Sequence, residues 1–100
     1  MFLICTENKN LESVVQPTLL KYLEGFTILQ GQGAWLGQSG KVETENSLVI
    51  LVYGGKDLYQ GKIKPACVEL CKANQQERID VLNLKTGQVN QVTQDTEVGK

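Results

Sequence analysis

One hundred residues suit a single domain, one that buries a useful core with little stability to spare. A formal net charge of −1 with both signs interspersed leaves no basic field to neutralise a phosphate backbone, so nucleic acid is not an expected partner. Histidine is absent, which removes the commonest general base, the usual Ser and Cys triads and most catalytic zinc sites.

Phe2-Leu3-Ile4-Cys5-Thr6 is a run of strand formers, apolar on both faces. Asn8 and Asn10 follow as candidate helix caps. Leu11, Val14, Val15, Leu19, Tyr22 and Leu23 then recur at helical spacing, with Pro17 predicting a kink or restart whose boundary is Gln16. Glu24-Gly25 reads as the helix end. Phe26 to Leu36 and Val42 to Tyr53 read as two strands of a long hairpin, joined by the turn residues Gln38-Ser39-Gly40-Lys41. Gly54-Gly55-Lys56-Asp57 breaks the chain. Ile63, Cys67, Leu70, Cys71 and Asn74 trace a second helical stripe, with Gly61 and Pro65 blurring its start. Ile79 to Leu84 is the last main strand, and Thr86-Gly87 allows a small extra hairpin through Val89 and Val92.

This order predicts an α+β, ferredoxin-like βαββαβ domain over residues 1–92, with a four-stranded antiparallel sheet and two helices on one face. Residues 93–100 read as a polar C-terminal tail. The first and third strands are central in that topology, and both are apolar on two sides; in the third, Leu48, Ile50 and Val52 lie on one side and Val49, Leu51 and Tyr53 on the other. Helices can cover only one side. The second face therefore predicts a homo-oligomer, a trimer or a dimer. No apolar run approaches the roughly 20 residues of a membrane span, and Met-Phe-Leu-Ile-Cys is too short for a signal peptide. The expectation is a cytoplasmic protein without a membrane partner. Three cysteines, two of them four apart, fit reduced thiols rather than a disulfide framework.

Gly25-Phe26-Thr27-Ile28-Leu29, then Gly31, Gly33 and Trp35, then Glu45-Asn46-Ser47-Leu48-Val49 resemble a small bacterial family of ferredoxin-like domains that has no established activity. Val15-Gln16-Pro17 and Gln76-Glu77 are similar to it as well. A wider resemblance is to trimeric PII-type signalling proteins, through the Gly-x-Thr-hydrophobic start of the second strand. Trp35 followed by Gly40-Lys41-Val42-Glu43 resembles the hairpin of CutA-type trimers. Two departures stand out: the long PII loop is shortened to about Gln38–Asn46, and the Gly-rich nucleotide-phosphate loop is replaced by Asn74-Gln75-Gln76-Glu77-Arg78. The resemblance implies the fold and oligomerisation, and not nucleotide binding.

The candidate binding surface is the hairpin. Gly31, Gly33, Trp35 and Gly37 share one strand face, where glycines admit a ligand or partner backbone and Trp35 supplies a wall; the alternative is a bulge or close packing at a subunit boundary. Gln38, Lys41, Glu43 and Glu45 supply polar groups at its rim, although near a hairpin tip such carboxylates also serve as a solvated, edge-guarding face. Cys67 and Cys71 lie i, i+4 on one helix face. Soft metal binding is possible chemistry there, but they fall on the apolar stripe and read as core, so no metal or cofactor is expected. Cys5 reads as core. Gly54-Gly55-Lys56 lacks the spacing of a phosphate-binding P-loop and reads as a turn.

The reading carried forward is a non-catalytic, homo-oligomeric, PII-like binding or regulatory module whose partner is a small molecule or a protein. The alternative is a small enzyme or ligand carrier with a pocket at a ferredoxin-like oligomer interface. An RNA binder ranks third, with only Phe2 and Tyr53 placed to stack on bases.

Overall fold

The computed structural model describes residues 1–98. β1 (Phe2–Glu7), α1 (Gln16–Leu20), β2 (Thr27–Leu36), β3 (Val42–Val52), α2 (Lys64–Ala73) and β4 (Ile79–Asn83) follow the expected order, and β5 (Val89–Val92) is added at the end. The antiparallel sheet runs β2-β3-β1-β4-β5, so it has five strands rather than four. The fifth forms because Gly87, at φ 78, closes a turn whose N–H donates to Asn83 O at 2.8 Å. Asn83 Oδ1 also accepts from the backbone of Lys85 at 2.9 Å. β5 then brings Val92 to full burial, where its carbonyl accepts from Cys71 Sγ at 3.6 Å.

Both helices begin with a wide turn, Leu11–Val15 before α1 and Tyr59–Ile63 before α2, and each wide turn ends two residues before a proline. Val15 N donates five residues back to Asn10 O at 3.0 Å. Proline offers no N–H and its ring crowds the carbonyl four residues earlier, so the extra residue per turn relieves the clash. The restart at Gln16 is as the sequence predicts. The ends are not. Asn10 caps nothing with its side chain and sits left-handed at φ 57, and α1 stops at Leu20, well short of Gly25. The amide of Asn10 is drawn away to Asn74 instead.

The core lies on one face of the sheet. Phe2, Ile4, Leu48, Ile50, Val52, Ile79 and Val81 join Val15, Leu19, Ile63, Cys67, Leu70 and Cys71 in a single buried cluster. Strand alternation sends Leu3, Cys5, Val49, Leu51, Asp80 and Leu82 to the other face, which no helix covers. Cys5 is thus exposed, correcting its assignment to the core: in a sheet covered on one side only, the odd-numbered positions of β1 face outward. The pairing of β2 with β3 runs unbroken from Thr27↔Leu51 to Leu36↔Val42, whereas β1 reaches only to Glu7↔Ser47. Beyond the bond from Asn8 N to Asn46 O at 3.1 Å, residues 33–36 and 42–45 project past the sheet as a two-stranded ribbon, roughly 14 Å of strand with no third neighbour among the described residues. Isolated ribbons are marginal in water. This one exposes Trp35 on one face and the Leu36↔Val42 pair on the other.

The polar end of the chain is ordered as far as it is described. Thr93 N donates to Thr96 Oγ1 at 2.8 Å, and Thr96 N donates to Thr93 O at 3.1 Å. The part of the predicted tail at 99 and 100 lies outside the described residues.

Candidate functional site

Three buried polar side chains link the core to one end of the sheet. Gln76 Nε2 donates to Thr6 Oγ1 at 2.6 Å. Asn74 Nδ2 donates to Gln76 Oε1 and to Lys9 O, both at 2.8 Å, and Asn74 Oδ1 accepts from Asn10 Nδ2 at 2.9 Å. Asn74, Gln76 and Thr6 are all nearly sequestered from solvent. Buried polar groups are costly unless bonded, and a fully bonded chain of them fixes geometry. Here the chain joins β1, the segment before α1 and the loop from α2 to β4.

That loop walls a cleft of about 630 Å³ on the open face of the sheet, lined by Cys5, Thr6, Glu7, Glu45, Ser47, Gln75, Glu77, Arg78 and Asp80. The volume is that of a small-molecule site. Four carboxylates face one guanidinium. Arg78 Nε stands 3.8 Å from Asp80 Oδ1, close enough for an ion pair but too far for a hydrogen bond, and that buried oxygen accepts no hydrogen bond from any described residue. The Cys5 thiol is held above its ordinary value, first by partial desolvation and then by the Asp80 carboxylate beside it.

The hairpin residues singled out from the sequence divide between two places. Gly31, Gly33 and Trp35 stand opposite Ser47, Glu45 and Glu43, and Glu45 reaches the cleft. Trp35, Gln38 and Glu43 line a separate hollow of about 520 Å³ at the ribbon tip, together with Leu36, Gly37 and Ser39. Lys41 lines neither. The strand is regular, so no bulge explains its glycines. A Cβ on Gly31 would come no closer than 3.6 Å to Ser47 Oγ, and one on Gly33 no closer than 3.9 Å to Glu45 O. Neither glycine is required by the chain's own packing. Both leave the floor beside the cleft low, open to a group from outside the chain.

The sequence reading missed most of the cleft: Glu7, Ser47, Gln75, Glu77, Arg78 and Asp80. Its signal was the alternation of β1, which puts Cys5 and Glu7 on the face opposite Ile4 and Thr6, and the polar run replacing a Gly-rich loop after α2. A second cluster lies on the helical side, where Tyr22 OH donates to Glu69 Oε1 at 2.8 Å and Lys21 pairs with Glu69 Oε2. It ties the end of α1 to α2. Cys67 and Cys71 are fully buried, and desolvation pushes both thiols up. Among the described residues, no group of three or more His, Cys, Asp or Glu is arranged to hold a metal ion, and no helix is long and apolar enough to cross a membrane. Phe2 is buried against Tyr59, with ring centroids 6.4 Å apart, so it cannot stack on a base.

No protein-family model and no curated protein matches the chain. Among solved structures it is similar to phage SAM lyase in complex with S-methyl-5'-thioadenosine, at 23% identity and a TM-score of 0.64, over 96% of this chain and 91% of that one. Phage SAM lyase in the apo state matches at 21% identity and a TM-score of 0.62, over 96% of this chain and 90% of that one. At this identity the likeness establishes the fold. The expectation of a non-catalytic, PII-like signalling module is corrected, since the solved structures this chain resembles over 96% of its length are of a lyase and not of a PII-type protein. The absence of histidine leaves carboxylates and Arg as the charged groups of the cleft, with Glu7, Glu45, Glu77, Asp80 and Arg78 brought together there.

Proposed function

We propose that the chain is a small enzyme that cleaves S-adenosylmethionine or a closely related sulfonium nucleoside, with its site in the carboxylate-walled cleft of the open sheet face. One observation carries the reading: a ligand-sized cleft with four carboxylates against one guanidinium, in a chain whose fold matches phage SAM lyase over 96% of its length. S-adenosylmethionine bears a fixed positive sulfur and an ammonium group, and a cluster of carboxylates favours a cation over an anion.

Charge flow assigns the parts. When the bond from sulfur to the aminocarboxypropyl chain breaks, sulfur keeps the electron pair and changes from cation to neutral thioether, while the substrate's own carboxylate supplies the pair the departing carbon loses and closes a five-membered lactone. A carboxylate against the sulfur would stabilise the substrate more than the transition state, and so would slow the step. The carboxylates therefore suit the ammonium end, and the apolar floor next to Cys5, formed by Leu3, Val49 and Leu51, suits the sulfur, whose lost charge needs no solvation. A lyase adds no water. An open cleft does not exclude water by itself, which is the physical case for a second copy closing it and covering Leu29 and Leu51 at the same time. Covering such a face is worth about 25 cal/mol per Å² of apolar area.

The test is direct. Purified protein incubated with S-adenosylmethionine should release S-methyl-5'-thioadenosine, read by liquid chromatography, and Glu45→Gln with Asp80→Asn should reduce kcat/KM by about a hundredfold or more, chiefly through KM. Release no faster than the uncatalysed breakdown would end this reading. Native mass spectrometry should find a trimer or dimer, and Leu51→Lys should dissociate it; a monomeric wild type that still turns over would remove the second copy from the argument.

A further inference from the structure

Among the described residues, the backbone adopts positive φ at Asn10, Gly40, Gln75 and Gly87. Glycine and asparagine tolerate that region. Gln75, at φ 52, is the exception. It follows Asn74, the C-cap of α2. Gln75 N donates to Lys72 O at 3.4 Å and Gln76 N to Cys71 O at 3.0 Å. This pair of bonds closes a helix end whose left-handed residue is by default glycine.

Among the described residues, none hydrogen-bonds the Gln75 side chain. Gln75 is exposed, while Asn74 and Gln76 on either side make the internal hydrogen bonds. A strained residue persists where the surroundings over-determine it, and here the bonded Asn74–Gln76–Thr6 chain fixes both flanks. What Gln75 does is line the cleft.

We infer that Gln75 is a ligand-contacting residue, its side-chain amide meeting the purine edge of the bound nucleoside. The inference rests on reading the cleft as a sulfonium-nucleoside site. An amide presents a donor and an acceptor on separate atoms of one plane, matching the N6 donor and N7 acceptor of adenine. The ionised carboxylates of the cleft only accept and Arg78 only donates, while the hydroxyls of Ser47 and Thr6 act through a single atom. Gln75 is thus the one side chain of the lining with this planar pair.

Gln75→Gly separates the roles, because glycine relieves the strain while removing the amide. Thermal unfolding and isothermal titration would be run with S-methyl-5'-thioadenosine and with S-methyl-5'-thioinosine, whose six-position oxygen cannot donate. The wild type should prefer the adenine compound by about tenfold or more, the scale of one two-bond amide–adenine pair. The variant should melt several degrees higher, bind the adenine compound about tenfold more weakly and lose the preference. Wild-type binding that the variant retains unchanged, or a variant that melts lower, overturns the inference and leaves the proposed function standing. A wild type that binds neither nucleoside overturns both.

Discussion

Asn74→Ala tests whether the buried amide chain holds the cleft wall. Asn74 makes three side-chain hydrogen bonds, accepting from Asn10 and donating to Lys9 O and Gln76 Oε1. Lys9 and Asn10 are exposed, so water replaces their lost partner and each bond costs only its net contribution, about 0.5–1.5 kcal/mol. Gln76 is buried, and its orphaned oxygen carries the larger desolvation cost of about 1–3 kcal/mol. Together the loss should be about 2–6 kcal/mol, out of the roughly 5–15 kcal/mol that stabilises a domain. Urea unfolding reads it. With a slope of about 1–3 kcal/mol per M, a 3 kcal/mol loss moves the midpoint down by roughly 1–3 M without changing the slope. Asn74→Asp keeps the bond from Asn10 but loses both donations and buries a carboxylate. Its folded-state pKa should be raised, so its stability should recover as pH falls and decline as pH rises through that value. A midpoint shift worth less than about 1 kcal/mol in Asn74→Ala would refute the reasoning.

Changing Cys67 and Cys71 together to Ala should cost roughly 1–3 kcal/mol through cavities in the core, read by thermal unfolding; stoichiometric metal in the purified wild type, lost in that variant, would overturn their structural role. A thiol reagent on native protein should modify Cys5 while sparing Cys67 and Cys71. Because the Cys5 thiol is held up partly by Asp80, Asp80→Asn should lower its pKa and speed alkylation at neutral to mildly alkaline pH; an unchanged rate would remove the electrostatic link. Lys21 and Tyr22 hold the Glu69 carboxyl below its ordinary value of 4.5, so the pair contributes stability that is present above that pH and lost as pH falls through the lowered value. The Tyr22 phenol is raised above 10.0 through the same hydrogen bond, and that contribution is lost as pH rises. Glu69→Gln should flatten the acid limb of a melting-temperature profile over roughly pH 3 to 7, and an unchanged limb would count against the cluster.

How far the fold could be read depended on the range of the interactions that set it. The stripe Ile63, Cys67, Leu70, Cys71 and Asn74 is local, and every member is buried as its spacing implies. The long hairpin was legible because Gly40, at φ 83, marks a turn between two strand-forming runs. The end of α1 was not legible, because the Leu19-to-Leu23 spacing continues past it. Leu23 is buried as the pattern asks, but it gets there from a turn, with Tyr22 N and Leu23 N both donating to Leu19 O. Asn10 looked like a cap because caps are local, whereas its actual partner is Asn74, 64 residues away. Cys5 was misplaced for a related reason: an apolar run shows that a strand is central without showing which of its faces the helices take.

The cleft was the hardest part to read, because its walls come from three distant stretches: Cys5 to Glu7, Glu45 with Ser47, and Gln75 to Asp80. Each alone looks like ordinary surface. Sheet pairing brings them together, with Cys5 between Val49 and Asp80 and Glu7 opposite Ser47. The same pairing explains why the cleft of a chain this short lies outside its core. Both helices are spent covering one face, and the core they form is filled by side chains. A cavity large enough for a nucleoside inside it would remove packing that a small domain cannot spare. The open face costs nothing in packing, and its apolar floor beside a polar cleft already offers the two environments a sulfonium nucleoside presents. Under the proposed function, a second copy of the chain would supply its roof. The projecting ribbon, with Trp35 exposed and with glycines at 31 and 33 that the chain's own packing does not require, is the surface such a copy would meet, and Trp35→Ala would then weaken the oligomer in size-exclusion chromatography with light scattering.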